Sequence, residues 1–132
     1  MLRLLLLPAC AVAMTGCAVP HPQPVHDSQQ TEGLVYAAIG KTASVNGPKV
    51  TPLALLEDSR CPPTVRCVWA GQVRIQVQID LGSGSHTAEM KQGVPIPVAD
   101  GTLELVTVEP GPAVGGIKPQ AYRFGFRFMG GL

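Results

Sequence analysis

Aromatic side chains are scarce: three Phe, two Tyr and one Trp serve 132 residues. Glycine (15) and proline (13) are frequent instead, a balance that suits short strands joined by tight turns. No stretch shows the periodicity of an amphipathic helix, which argues against a helical fold. Charge of one sign is also missing. Ten Lys/Arg stand against nine Asp/Glu, and setting aside Arg3, the one cation of the leader described next, leaves nine against nine. A balance near zero without a basic block gives no electrostatic footprint for nucleic acid or for an anionic membrane surface. The length leaves room for one domain with a modest core.

The longest apolar run is at the start, and it is too short to span a bilayer. Met1-Leu2-Arg3 is a short positive opening, and Leu4 to Val12 is apolar apart from Pro8 and Cys10. Small residues follow, in Met14-Thr15-Gly16-Cys17. A charged start, a short apolar run and small residues before a cleavage point describe an export signal. The Thr15-Gly16-Cys17 end of that tetrad resembles the lipobox of bacterial lipoproteins, with Met14 where the family usually has Leu. The resemblance implies lipidation of Cys17 and cleavage just before it. A rival tetrad, Leu7-Pro8-Ala9-Cys10, leaves only Leu4 to Leu7 as apolar run, below the roughly seven residues such a region needs. The other reading is an ordinary signal with Cys17 as a stray thiol. Several acyl chains on one cysteine anchor firmly, because each buried methylene adds roughly 0.8 kcal/mol. Ala18, not Asp, follows Cys17, and resemblance to the sorting pattern of enterobacterial lipoproteins then points to the periplasmic face of the outer membrane. The expected division is a signal over 1–16, a lipidated Cys17 with a Pro-rich tether over 17–32, and a periplasmic domain over 33–132.

With Cys10 removed and Cys17 acylated, Cys61 and Cys67 remain as a pair in an oxidising compartment, and a disulfide is the default. Its short loop stabilises by only about 2 kcal/mol in the chain-entropy picture. Zinc is the rival, although two thiols without a nearby His make a poor site. In the tether, Pro20, Pro22 and Pro24 favour extended, semi-rigid chain. His21 and His26 lie there without a third ligand, and solvation is the simpler reading than a metal site.

Beyond Gly33 the pattern becomes β. Leu34 to Ile39 is a weakly alternating candidate strand. Thr42 to Val45 and Lys49 to Leu56 flank Asn46-Gly47, a hairpin signal because both residues tolerate positive φ. Pro48 and Pro52 place that hairpin at a sheet edge. Gln72 to Leu81 alternates strictly, with Val73, Ile75, Val77, Ile79 and Leu81 on one face and Arg74, Gln76, Gln78 and Asp80 on the other. Gly82 to Ser85 turns the chain into a short return strand, His86 to Met90. Pro95 and Pro97 make Val94 to Val98 an edge or a loop. Thr102 to Val108 is the next strand, Glu109 to Pro119 a surface loop, and the alternation of Tyr122, Phe124, Phe126 and Phe128 a last strand that closes the core. The expected fold is all-β: a small antiparallel sandwich or barrel of six to eight short strands with one short-range disulfide.

The most distinctive stretch runs from Glu57 to Gly71, E-D-S-R-C-P-P-T-V-R-C-V-W-A-G. It resembles a group of small secreted bacterial proteins, often lipoproteins, that carry D-S-R-C-P, a short spacer and C-x-W-A-G before a β-strand. That resemblance implies an architecture and no mechanism. Each residue has a structural role to hand. Asp58 and Ser59 can bond nearby amides, and Arg60 can pair with Asp58 or a carbonyl. Trp69 can cover the apolar S–S group, and Gly71 permits a bend into the next strand. The functional reading makes Asp58, Arg60, Arg66 and Trp69 a rigid binding tip, since Trp and Arg dominate binding hot spots.

Catalysis finds little support. No motif surrounds any serine that His86 could serve. Glu57 and Asp58 are adjacent and point to opposite faces of a strand, which rules them out as an acid/base pair. His86 and Met90 would share a strand face, a faint hint of copper lacking a third ligand. No cofactor and no nucleic acid are implied. The expected function is a non-catalytic, membrane-anchored envelope lipoprotein that binds or braces another envelope component, an envelope protein among them. Its alternatives are a periplasmic hydrolase inhibitor presenting the Cys61–Cys67 loop and a metal-binding envelope protein.

Overall fold

The computed structural model describes residues 33–130. The segment expected to be an export signal, with Cys10, and the expected lipidation site Cys17 and tether, with His21 and His26, lie outside the described residues. Within them the chain forms eight strands: β1 (Val35–Ala37), β2 (Ala43–Ser44), β3 (Lys49–Asp58), β4 (Val73–Asp80), β5 (Ser85–Lys91), β6 (Ile96–Val98), β7 (Gly101–Glu109) and β8 (Arg123–Gly130). One 3₁₀ turn, Pro119–Ala121, precedes β8.

The strands pair antiparallel in two sheets of four, ordered β1-β8-β7-β6 and β2-β3-β4-β5. The sheets do not close on each other, so the fold is a sandwich and not a barrel. Proline helps to keep it open. Pro97 sits in the edge strand β6 and lacks the N–H that a further strand would need.

Strand β4 shows how pattern becomes core. Val73, Ile75, Val77 and Ile79 are fully buried, while the residues between them stand toward solvent or half-buried. Val50 and Met90 join them from the same sheet, and Leu103, Leu105, Phe124 and Phe126 face them from the other. The Asn46-Gly47 turn forms as its residue types require, with φ of 53° and 141° and a Val45 N–H to Pro48 carbonyl bond of 2.8 Å. Its first strand is shorter than expected, because only Ala43 and Ser44 pair, opposite Val50 and Lys49. The candidate strand Leu34 to Ile39 contracts likewise to Val35–Ala37. β3 is an inner strand in sheet order, yet past Val50 its outer side is open apart from the Gly40 N–H bonded to the Pro52 carbonyl at 2.7 Å. Pro52 is therefore tolerated in the middle of β3 with its missing N–H on the open side, and the β3–β4 register shifts just after it, between Pro52 and Ala54.

Register defines two poles. Gly101 pairs with Gly130 at one, beside the 46–47 and 82–84 turns; Glu109 pairs with Arg123 and Asp58 with Val73 at the other. β1 runs from Val35 opposite Phe126 to Ala37 opposite Phe124, so the chain comes into the sandwich from the side away from the cysteine loop.

Phe124 is fully buried and stacks on Tyr122 with ring centroids 5.7 Å apart. Phe124→Ala is expected to cost about 3–5 kcal/mol, read as a lowered urea midpoint with native-like circular dichroism in water.

Candidate functional site

The cysteine segment connects β3 to β4 at the second pole. Its stem prolongs the ladder by two bonds: Ser59 N–H to the Gln72 carbonyl (2.9 Å) and Gln72 N–H to the Ser59 hydroxyl (3.0 Å). Gly71 is required here for close approach and not, as expected, for a bend. A methyl group on it would lie 1.6 Å from the Ser59 carbonyl oxygen. Above the stem, Cys61 and Cys67 form the disulfide, with Cα atoms 6.0 Å apart. Inside the loop the Val65 N–H bonds back to the Pro62 carbonyl at 3.1 Å.

Two acid networks flank the stem. On one side, Arg60 grips Asp58 with Nε on Oδ1 and Nη2 on Oδ2, both at 2.8 Å. The same guanidinium donates to the carbonyls of Val108 and Pro110, each at 3.0 Å, and the Tyr122 hydroxyl donates to Asp58 Oδ2 at 2.7 Å. Both charged side chains are nearly out of water, at 14% and 11% exposure. On the other side, Glu57 accepts from Ser59, from Gln72 and from Arg74 Nε, and Arg74 also reaches from β4 to Glu89 on β5. The two adjacent carboxylates are thus held apart in separate networks.

The electrostatics follow from these partners. The Arg60 hydrogen bonds hold the Asp58 carboxyl below its usual range against the opposing effect of burial, with the Tyr122 hydroxyl adding to them. Arg74, with Gln72 and Ser59, does the same for Glu57. Burial, and donation to Asp58, push the Tyr122 phenol up to about 12. Both carboxylates are therefore ionised acceptors filled by donors, and neither holds a proton to give at neutral pH.

The four residues of the expected binding tip separate into two pairs. Asp58 and Arg60 face inward and bind one sheet to the other. Arg66 and Trp69 stay on the exposed loop, where Trp69 is 82% and its neighbour Val68 89% exposed. Trp69 does not cover the disulfide as a buried ring would. The ring stands out in solvent on the loop, whereas Tyr122 is the aromatic side chain buried at this pole. A groove beneath it is lined by Glu57, Ser59 and residues 67–72. His86 pairs with Ile79 and lies toward the opposite pole, and Met90 is wholly buried in the core. Among the described residues no three His, Cys, Asp or Glu side chains group as metal ligands. The chain matches no known family model, no curated protein and no solved structure.

Sequence reading missed Tyr122 as a partner of Asp58 and the carbonyls that Arg60 holds 48 and 50 residues away. The available signal was an acid followed two positions later by an arginine at the end of a strand, together with a tyrosine at the head of an otherwise phenylalanine strand. A buried tyrosine hydroxyl needs a partner.

Two outcomes are expected. Asp58, with its depressed pKa, contributes stability that is present above the unfolded value near pH ~4 and lost as pH falls through the folded value. Asp58→Asn should be less stable at pH 7 and should show a shallower loss between about pH 5 and 2, measured as urea midpoint against pH. Replacing both Cys61 and Cys67 by Ser should cost only roughly 2 kcal/mol, leaving a cooperative thermal transition, because the stem is pinned independently by Ser59, Arg60 and Gln72.

Proposed function

We propose that this chain is a lipoprotein of the bacterial envelope, acylated at Cys17 and held by the 17–32 tether at the periplasmic face of the outer membrane. Its sandwich serves as a non-catalytic module that binds or braces another envelope component. The observation that carries the reading is the division of labour at the cysteine loop. The charged groups at its base are spent on one another and on backbone carbonyls, while Val68 and Trp69 at its tip are presented to solvent by a stem fixed on both sides. A site built for general acid–base chemistry needs a group with a proton to exchange near neutral pH, whereas a recognition surface needs a rigid apolar anchor. The loop has the second.

Its preorganisation favours a second reading from the same observation, a hydrolase inhibitor that inserts the disulfide-closed, proline-stiffened loop into an enzyme cleft. That reading requires stoichiometric inhibition of a periplasmic hydrolase that Trp69→Ala relieves.

Intact mass of the protein extracted from membranes is the direct test. The expected chain begins at Cys17, carries acyl mass on that residue and is two protons short for the Cys61–Cys67 bond. Cys17→Ser should carry no acyl group and keep the two-proton deficit. An unmodified start at any other residue would remove the anchor from the proposal.

A further inference from the structure

Three of the eight large apolar side chains exposed among the described residues, Val65, Val68 and Trp69, fall within five positions of the cysteine loop. Val114 stands on the β7–β8 loop of the same pole, and Val94 on the β5–β6 connection farther down the side of the sandwich, where the Gly93 N–H meets the Leu105 carbonyl. From Ser59 to Gly71 there is no acidic side chain, and Arg66 makes no ion pair among the described residues. Directional groups are few: from 61 to 70 the side-chain donors are Thr64, Arg66 and the Trp69 indole, and Pro62 and Pro63 offer no backbone N–H.

From this composition we infer that the loop tip is a bilayer-docking surface: Val65, Val68 and Trp69 enter the headgroup–acyl boundary while Arg66 stays at the headgroups. A protein interface of useful size is stitched by about one hydrogen bond per 100–200 Å², and this tip has little to offer one. A lipid surface has no fixed partners to satisfy. It accepts an amphipathic indole at headgroup level and an arginine whose stem lies along the apolar phase. Rigidity helps, because the disulfide and the pinned stem leave little loop entropy to lose on docking.

The inference deepens the envelope reading and rests on it for strength. Three apolar side chains hold a bilayer weakly on their own, and an acylated Cys17 supplies the local concentration at which a weak contact is occupied. The geometry allows both attachments in one leaflet. Ten residues of β3 set a long dimension of about 33 Å. The sixteen residues 17–32 reach about 50 Å when extended, enough to run the length of the sandwich from its far side. Because the chain has no basic block, docking is driven by apolar insertion and is insensitive to salt and to lipid charge.

Trp69 is the only tryptophan, so the native protein reports on its own tip. The mature acylated protein is reconstituted in phosphatidylcholine vesicles, with and without phosphatidylglycerol, and its emission is recorded with lipids brominated at shallow or deep acyl positions. Expected are a blue shift relative to detergent-free buffer with unacylated chain, stronger quenching by shallow than by deep bromines, and the same values in both lipid mixtures and at high salt. The pair Val65→Asp, Val68→Asp should abolish shift and quenching while leaving the urea midpoint unchanged, since both side chains are exposed. Water-exposed emission without quenching overturns the inference, as does a shift that emerges only when envelope protein is added, which would make the partner a protein. The two readings fail separately. An acylated but unquenched protein loses the tip and keeps the anchor, whereas an unacylated protein whose Trp69 is quenched at high lipid loses the anchor and keeps the tip.

Discussion

Arg60 is the constraint from which the rest of the loop pole follows. Its guanidinium meets Asp58 in a two-point fork and gives two further donors to the carbonyls of Val108 and Pro110. A charge this far out of water is tolerated only when its partners are complete, since desolvation costs several kcal/mol per ion. The arrangement therefore specifies three things together: the end of β3, the course of the chain after β7, and the position of Tyr122 at the head of β8. Lysine could not substitute, because a point ammonium cannot hold both carboxylate oxygens while reaching two carbonyls in fixed directions.

That constraint shapes what the pole can do. With Asp58 and Glu57 ionised and filled by donors, the chemistry available at the stem is structural, and the loop above it becomes the part free to meet something else. The disulfide and the two prolines give the loop a shape, and the stem bonds give it a direction. Exposure of Val68 and Trp69 is then a consequence of geometry. Among the described residues they are the two most exposed large apolar side chains. Large apolar side chains presented this way are costly to leave in water and informative for that reason.

Much of the fold was legible in local pattern. The strict alternation of β4 named its buried face and Asn46-Gly47 its turn, while Pro95 and Pro97 narrowed Val94 to Val98 to an edge or a loop, because each of these depends on neighbours within a few residues. The choice between sandwich and barrel was not legible, since it depends on whether strands distant in the chain pair across the two open corners. The functional segment divided in the same way. Its turn chemistry at Asp58, Ser59 and Arg60 followed from residue types, while the expected packing of Trp69 on the disulfide failed, because the buried aromatic position at this pole is taken by Tyr122 from a distant part of the chain.

What the sequence determined by itself was the β character, the strand and turn order, and the single cysteine pair among residues 33–132. Period, turn propensity and the count of thiols suffice for these. Only the tertiary structure decided that Asp58 and Arg60 belong to an internal brace while Arg66 and Trp69 belong to the surface. The four residues lie within twelve positions of one another, and nothing local separates them. Their roles are set by Val108, Pro110 and Tyr122, which register brings to one side of the loop and not the other.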